Sequence, residues 1–186
     1  MQQPPVATAA LVQQVCAPCH GLDGNSARPN VPSLAGQIEA YLEGQLHAYA
    51  AQGGQRPNGV MGAIAVNLSP DAMKRAAGYF SRQTLRPPTF VSAPQPSGAE
   101  GEKLFGTGLP KQGVASCASC HGTRGEGLPD LFPRLAGQHE PYLVEQLQQF
   151  RAGNRTSDPA AVMRELAAQL SDAQIRAVSR YIARLR

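Results

Sequence analysis

Tryptophan is absent from this chain of 186 residues, and aromatic side chains of all kinds make up only 5% of it. Charged residues are sparse at 16%, and no apolar run approaches the roughly 18 residues that a bilayer-crossing helix requires, so a transmembrane segment is excluded. A strong excess of one charge is missing as well. Residues 1–90 carry six basic against four acidic side chains and residues 91–186 carry eleven against nine, so each half is only +2. So weak and dispersed a charge excludes a nucleic-acid footprint. The shortage of aromatics bears on the core. A chain of this length makes one or two domains, and two half-sized domains would bury too little surface with apolar side chains alone. What is plentiful is glycine and proline, 19 and 16 residues, the mark of a loop-rich globular chain. Something besides side chains is needed to fill the interior.

The four cysteines stand in two tight groups, Cys16-Ala17-Pro18-Cys19-His20 and Cys117-Ala118-Ser119-Cys120-His121. Both are the C-x-x-C-H pattern of covalent attachment of a c-type haem. Two thiols three residues apart can each form a thioether with one porphyrin vinyl group, while the adjacent imidazole ligates the iron. A zinc site built from two C-x-x-C pairs spaces them about 15–20 residues apart, whereas here they are some 100 apart, each with its own histidine. A thioredoxin-like dithiol needs a βαβ setting, and no alternating strand lies near either motif. A disulfide framework gives no reason for a histidine after the second cysteine, twice. Two covalently bound haem c groups are therefore expected, on Cys16, Cys19, Cys117 and Cys120.

Self-comparison at an offset of 101 residues aligns far more than the cysteines. Gly21 and Gly24 fall on Gly122 and Gly125, the run Pro32, Leu34, Ala35, Gly36, Gln37 on Pro133, Leu135, Ala136, Gly137, Gln138, and Tyr41, Leu42, Gln45, Leu46 on Tyr142, Leu143, Gln146, Leu147. After a one-residue insertion the offset is 102, and Met61, Ala65, Leu68, Ser69 fall on Met163, Ala167, Leu170, Ser171. The chain is a duplicated unit. Thr84 to Ser97 lies between the copies with Pro87, Pro88, Pro94 and Pro96, and reads as a semi-rigid linker able to span roughly 40 Å. The domains are then residues 1–83 and 98–186, joined by 84–97. Each is expected to be all-α, with a helix over Ile38–Ala51, its counterpart entered through Pro141, and C-terminal helices capped by Ser69-Pro70 and by the Ser171 to Gln174 capping box.

A thioether opposite the histidine is the usual sixth ligand of an electron-carrying haem and favours ferrous iron. Met61 and Met163 are equivalent in the repeat, 41 and 42 residues after His20 and His121, in surroundings that read as loops. They are the expected axial partners of His20 and His121. Met73, which matches Ile175, reads as an apolar helix position and stands as the alternative at the first haem. His47 and His139 have Gln148 and Ile38 as repeat partners and are read as solvated residues with no ligand role. Metal-bound imidazole commonly donates its other N–H to a fixed acceptor, and the carbonyls of Pro32 and Pro133, 12 residues after each histidine, are the candidates.

These motifs together resemble the dihaem cytochrome c4 family over nearly the whole chain, from about Leu11 to Leu185. The resemblance implies two cytochrome c-like domains related by a pseudo-twofold axis, with haem propionate edges near the interface, in a periplasmic protein that is soluble or loosely membrane-associated. It also implies His20/Met61 and His121/Met163 as axial pairs. Two departures bear on packing. The segment Pro5–Val15 has no aromatic where the second copy has Leu104-Phe105, so the first domain's terminal helices have less to pack with. The second copy also inserts Gly106–Ser116 before its motif.

With both irons saturated, the expected function is outer-sphere electron transfer between respiratory partners, such as a membrane cytochrome complex and a terminal oxidase. A cytochrome subunit of a periplasmic dehydrogenase, of the flavocytochrome or alcohol dehydrogenase type, is the alternative. A peroxidase-type dihaem enzyme would need one haem to give up its sixth ligand, against the matched methionines. Residues 1–15 lack a basic leader and a long apolar core, so the chain reads as a periplasmic protein whose signal peptide is gone.

Overall fold

The computed structural model describes residues 5–51, 55–57, 59–88, 98–129 and 132–186. Among them there are helices, turns and two isolated bridges, with no strand ladder. In the first half, α1 (Pro5–Leu11) runs through a π-helical turn (Val12–Cys16) into α2 (Ala17–His20), and α3 (Glu39–Ala50), α4 (Gly59–Ala65) and α5 (Pro70–Ser81) follow. The second half repeats the order with α6 (Gly98–Thr107), α7 (Ala118–His121), α8 (Glu140–Arg151), α9 (Val162–Ala168) and α10 (Asp172–Ile182).

The helix starts follow from local chemistry. The Ser69 hydroxyl accepts the Ala72 N–H at 3.2 Å with Pro70 in the first turn of α5. At α10 the Ser171 hydroxyl accepts the Gln174 N–H at 3.2 Å, and the Gln174 side chain accepts the Ser171 N–H at 2.9 Å, closing the expected capping box. Pro141 sits in the first turn of α8, where a missing N–H costs nothing. The surroundings of the repeated methionines differ from expectation. Met61 and Met163 stand in the first turn of the short helices α4 and α9, not in loops. Seven-residue helices leave little periodic signal to read in a sequence.

In each half the terminal helices pack together, α1 on α5 and α6 on α10. The second interface is the larger. Leu104 and Phe105 of α6 are buried against Ile175, Val178 and Ile182 of α10. Gly101 makes that crossing possible, since a Cβ there would come within 2.3 Å of the Ala177 carbonyl oxygen. The extra segment Gly106–Ser116 turns at Gly108 (φ 74°), pairs Leu109 with Val114, and buries Val114 in the same core. The first half gathers only Val12, Leu42, Ala77 and Phe80 into its buried cluster. That thin core is what the aromatic shortage foretold.

The two halves meet across a pseudo-twofold interface. Residues 84–88 of the linker are not a free spacer: Asn25 donates to the Thr84 carbonyl at 3.0 Å and accepts the Arg86 N–H at 2.7 Å, and Arg86 pairs with Asp23 at 3.1 Å. The rest of the proline-rich segment, including Pro94 and Pro96, lies outside the described residues.

Candidate functional site

Each C-x-x-C-H motif closes with a helical turn that ends on its histidine and is stopped by a glycine at positive φ, Gly21 (φ 80°) and Gly122 (φ 84°). The turn directs His20 and His121 inward, each only 6% exposed. The chain then doubles back, and His20 Nδ1 donates to the Pro32 carbonyl at 2.9 Å while His121 Nδ1 donates to the Pro133 carbonyl at 2.9 Å. A carbonyl only accepts, so the ring proton sits on Nδ1 and the lone pair is on Nε2. Burial holds both imidazoles below their ordinary range, with the proline hydrogen bonds opposing it in part, so both rings are neutral and basic at Nε2. That is the state in which imidazole binds a metal.

The cysteines fit the same purpose. All four are unbridged, and the first of each pair packs against its domain's apolar cluster, Cys16 in one half and Cys117 in the other. Burial pushes both of these thiols up to about 11. A flat apolar group carrying vinyl edges matches such buried thiols beside a thin core and a neutral imidazole. Met61 and Met163, both half-buried, occupy equivalent places, on α4 packed against α3 and on α9 packed against α8. The approaches to them differ: Ala160 and Ala161, just before α9, adopt left-handed conformations (φ 51° and 60°). Met73 is buried in α5 at 3% exposure, as an apolar helix residue.

His47 is exposed beside Glu43, as expected of a solvated residue. His139 is not solvated. It is fully buried between the halves, with Nε2 at 3.0 Å from the Ser26 carbonyl and 3.5 Å from the Ser33 hydroxyl, and Nδ1 without a partner. The opposite domain covers it, which its lack of a repeat partner did not reveal.

The interface holds further residues that have no signature in the sequence. Arg56 and Arg155 are 6% and 5% exposed, and each crosses to the other domain. Arg56 donates to the Tyr142 hydroxyl at 2.9 Å and to Gln146, while Arg155 donates to the Tyr41 hydroxyl and to Gln45, both at 3.0 Å. Each guanidinium also lies over its own domain's aromatic ring, Arg56 4.5 Å from the Tyr49 centroid and Arg155 4.2 Å from that of Phe150. The pair is therefore equivalent in space. In sequence they stand 99 residues apart where the repeat runs at 101 and 102, because the loops around them differ in length, and a fixed-offset comparison misses them.

Among the described residues no carboxylate lies within ion-pair distance of either guanidinium. Among the described residues every hydrogen-bond partner they have is neutral, whereas a buried cation ordinarily requires an anion. The positive field is felt locally: although burial pushes the Tyr41 phenol up, Arg155 and Arg56 hold it below its ordinary range. An apolar group that brings carboxylates to this interface fits both the thin core and the unmatched charges.

Comparison with known proteins agrees with this geometry. The cytochrome c family matches residues 6–83 and again residues 98–186. Cytochrome c4 of Pseudomonas aeruginosa is 41% identical over 171 residues, covering 90% of this chain and 82% of that protein. A thiosulfate dehydrogenase electron acceptor of Thiomonas intermedia is 36% identical over 172 residues, covering 90% of this chain and 77% of that one. The crystal structure of reduced recombinant cytochrome c4 from Pseudomonas stutzeri superposes with a TM-score of 0.88 at 40% identity, over the whole of both chains. A duplicated helical domain with one C-x-x-C-H motif per copy thus places the chain in the cytochrome c family, among the dihaem electron carriers of the cytochrome c4 type, with two covalently bound haem c groups as its cofactors.

Proposed function

We propose that this dihaem electron-transfer cytochrome works in the periplasm as a two-domain carrier, with His20 and Met61 holding one iron and His121 and Met163 the other. The family matches over 6–83 and 98–186 support domains 1–83 and 98–186 with 84–97 as the linker. Cys16 and Cys19 take one pair of thioethers, and Cys117 and Cys120 the other. The observation that carries the reading is the duplicated histidine clamp, in which a proline carbonyl 2.9 Å from Nδ1 leaves Nε2 as the ligating nitrogen in both halves. When bound, haem iron supplies one-electron redox chemistry at a potential set by its axial ligands and their hydrogen bonds. The proline carbonyls fix the plane of each imidazole, the methionine sulfurs would favour ferrous iron, and Arg56 and Arg155 would supply the cations that ionised propionates require. With a histidine and a methionine holding each iron, no position would remain for a substrate, in keeping with a carrier that is not an enzyme.

The ferric optical spectrum tests the ligation. A weak far-red sulfur-to-iron charge-transfer band is expected at an intensity fitting two haems, and Met61→Ala and Met163→Ala should each remove about half of it. A native band fitting one haem, or none, defeats the reading, and loss on Met73→Ala in place of Met61→Ala reassigns the first ligand.

The likeness to a thiosulfate dehydrogenase electron acceptor favours a periplasmic dehydrogenase as electron donor, with a membrane complex or terminal oxidase downstream. Among the described residues no helix is long and apolar enough to cross a membrane, so docking to such a complex is peripheral in this proposal. Mixing the oxidised protein with a purified dehydrogenase of this kind should reduce both haems without forming a complex stable to gel filtration. A stable stoichiometric complex would make the chain a dedicated subunit instead.

A further inference from the structure

The glycine-glutamine steps that close each Pro-x-Leu-Ala-Gly-Gln segment matched in the repeat without acquiring a role. In the structure the two glutamines exchange places across the interface. The Gln138 amide donates through Nε2 to the Ser33 carbonyl at 3.0 Å and accepts the Ser33 N–H through Oε1 at 2.9 Å. The Gln37 amide does the same to the second domain, donating to the Arg134 carbonyl at 2.9 Å and accepting the Arg134 N–H at 2.8 Å. Each Oε1 is held in place by a further N–H, that of His139 at 3.1 Å and that of Ile38 at 3.0 Å. Two N–H groups face each Oε1 and a carbonyl faces each Nε2, so the amide orientations are fixed by their partners.

Ser33 and Arg134 are the residues after Pro32 and Pro133. The N–H that each glutamine holds therefore belongs to the same peptide unit as the carbonyl that holds the iron-ligating histidine. In a trans peptide that N–H and C=O point in opposite directions, so the histidine lies on one side and the glutamine of the other domain on the opposite side. A continuous chain results: His20 Nδ1–H to Pro32 C=O, through one amide, to Ser33 N–H and Gln138 Oε1, mirrored by His121, Pro133, Arg134 and Gln37. Hydrogen bonds at the two ends of one amide polarise each other. A glutamine oxygen drawing on the N–H makes the proline carbonyl a stronger acceptor, which draws the proton of the imidazole and makes its Nε2 a better donor to iron.

We propose that Gln37 and Gln138 are crosswise positioning residues, each tuning the reduction potential of the haem in the opposite domain through a single polarised peptide. The proposal rests on His20 and His121 being the iron ligands. Greater imidazole basicity favours ferric iron, so each glutamine lowers the potential of the haem across the interface. The arrangement is symmetric in the glutamines and asymmetric beside them. His139 adds a second grip on the Ser26 to Ser33 loop, while Ile38 provides no polar counterpart on the other side.

Spectroelectrochemical titration of the two-haem protein, with the ferric haem methyl resonances assigned by NMR to each domain, tests this. Gln138→Leu should favour ferrous iron at the His20 haem by roughly two- to fivefold, less than the tenfold that corresponds to 59 mV for one electron, and leave the His121 haem unmoved. Gln37→Leu should do the reverse. Gln138→Glu, which keeps an oxygen for the Ser33 N–H, should leave the His20 haem at or below its native potential. A shift at the haem of the substituted domain, equal shifts at both, no shift, or a rise with both Leu and Glu overturns the proposal. The far-red sulfur-to-iron band of the native protein, recorded in parallel, reports on the ligand assignment separately: its absence would discredit that assignment, and its presence without crosswise shifts would discredit only the tuning.

Discussion

At the scale of single residues the chain divides its polar groups by what each must stay bonded to. His20 and His121 are neutral because they are buried, with the proline carbonyls opposing this in part. His139 is neutral for the same reason of burial, with the Ser26 carbonyl opposing it, yet it has no iron to bind. The consequence is a stability that depends on pH. Its folded pKa lies below the ordinary 6.5, so the unfolded chain binds the proton more readily and the folded state is favoured fully only above that value. As pH falls below 6.5 toward the folded pKa, stability should decline on account of this residue, with a slope no steeper than about 1.4 kcal/mol per pH unit. His139→Ile, which installs the residue found in the first copy, should flatten that slope in denaturant titrations between pH 6.5 and 5. An unchanged slope would mean that His139 is already protonated at the interface.

At the scale of elements the two copies solve one packing problem with different material. In the second copy Phe105 and Leu104 make a thick contact between α6 and α10, and Gly101 sets how closely the helices approach. Adding one methyl group there drives Cβ into the Ala177 carbonyl and the Tyr181 Cβ, at 2.3 and 3.0 Å, and neither belongs to a flexible side-chain end. Gly101→Ala should therefore cost about 2–3 kcal/mol, against the small gain in helix propensity that the same change brings elsewhere. Differential scanning calorimetry should show the unfolding transition moved to lower temperature, and an unmoved transition would mean that the α6 and α10 helices separate enough to accept the methyl group. The caps at Ser69 and Ser171 were legible because a cap involves residues only three apart. The helical setting of Met61 and Met163 was not, because α4 and α9 are too short to impose a period and are held by packing on α3 and α8.

At the scale of the whole molecule, the interface is where the halves become one electron carrier. Two buried guanidiniums cross it, and their only partners among the described residues are neutral. A positive charge near an iron disfavours the ferric state, so Arg56→Met and Arg155→Met should each lower the reduction potentials, and the double variant should lower both haems further. Potentiometric titration measures this, and potentials that rise or stay fixed would show that the arginines have their anion elsewhere. The double variant should also loosen the docking of the domains, visible as separate unfolding transitions.

What the sequence by itself determined was local or repetitive. A contiguous C-x-x-C-H names its cofactor because all its chemistry lies within five residues, the offset of 101 establishes duplication, and the aromatic shortage announces a core that side chains do not fill. Proline 12 residues after each histidine was within reach of inference for the same reason. Only the tertiary structure decided which residues meet across the interface: Gln37 with Arg134, Gln138 with Ser33, His139 with Ser26, Arg56 with Tyr142 and Arg155 with Tyr41. These partners are 86 to 114 residues apart, brought together by the packing of one domain on the other. A pattern within one copy cannot encode them, because the groups that satisfy each residue belong to the other copy.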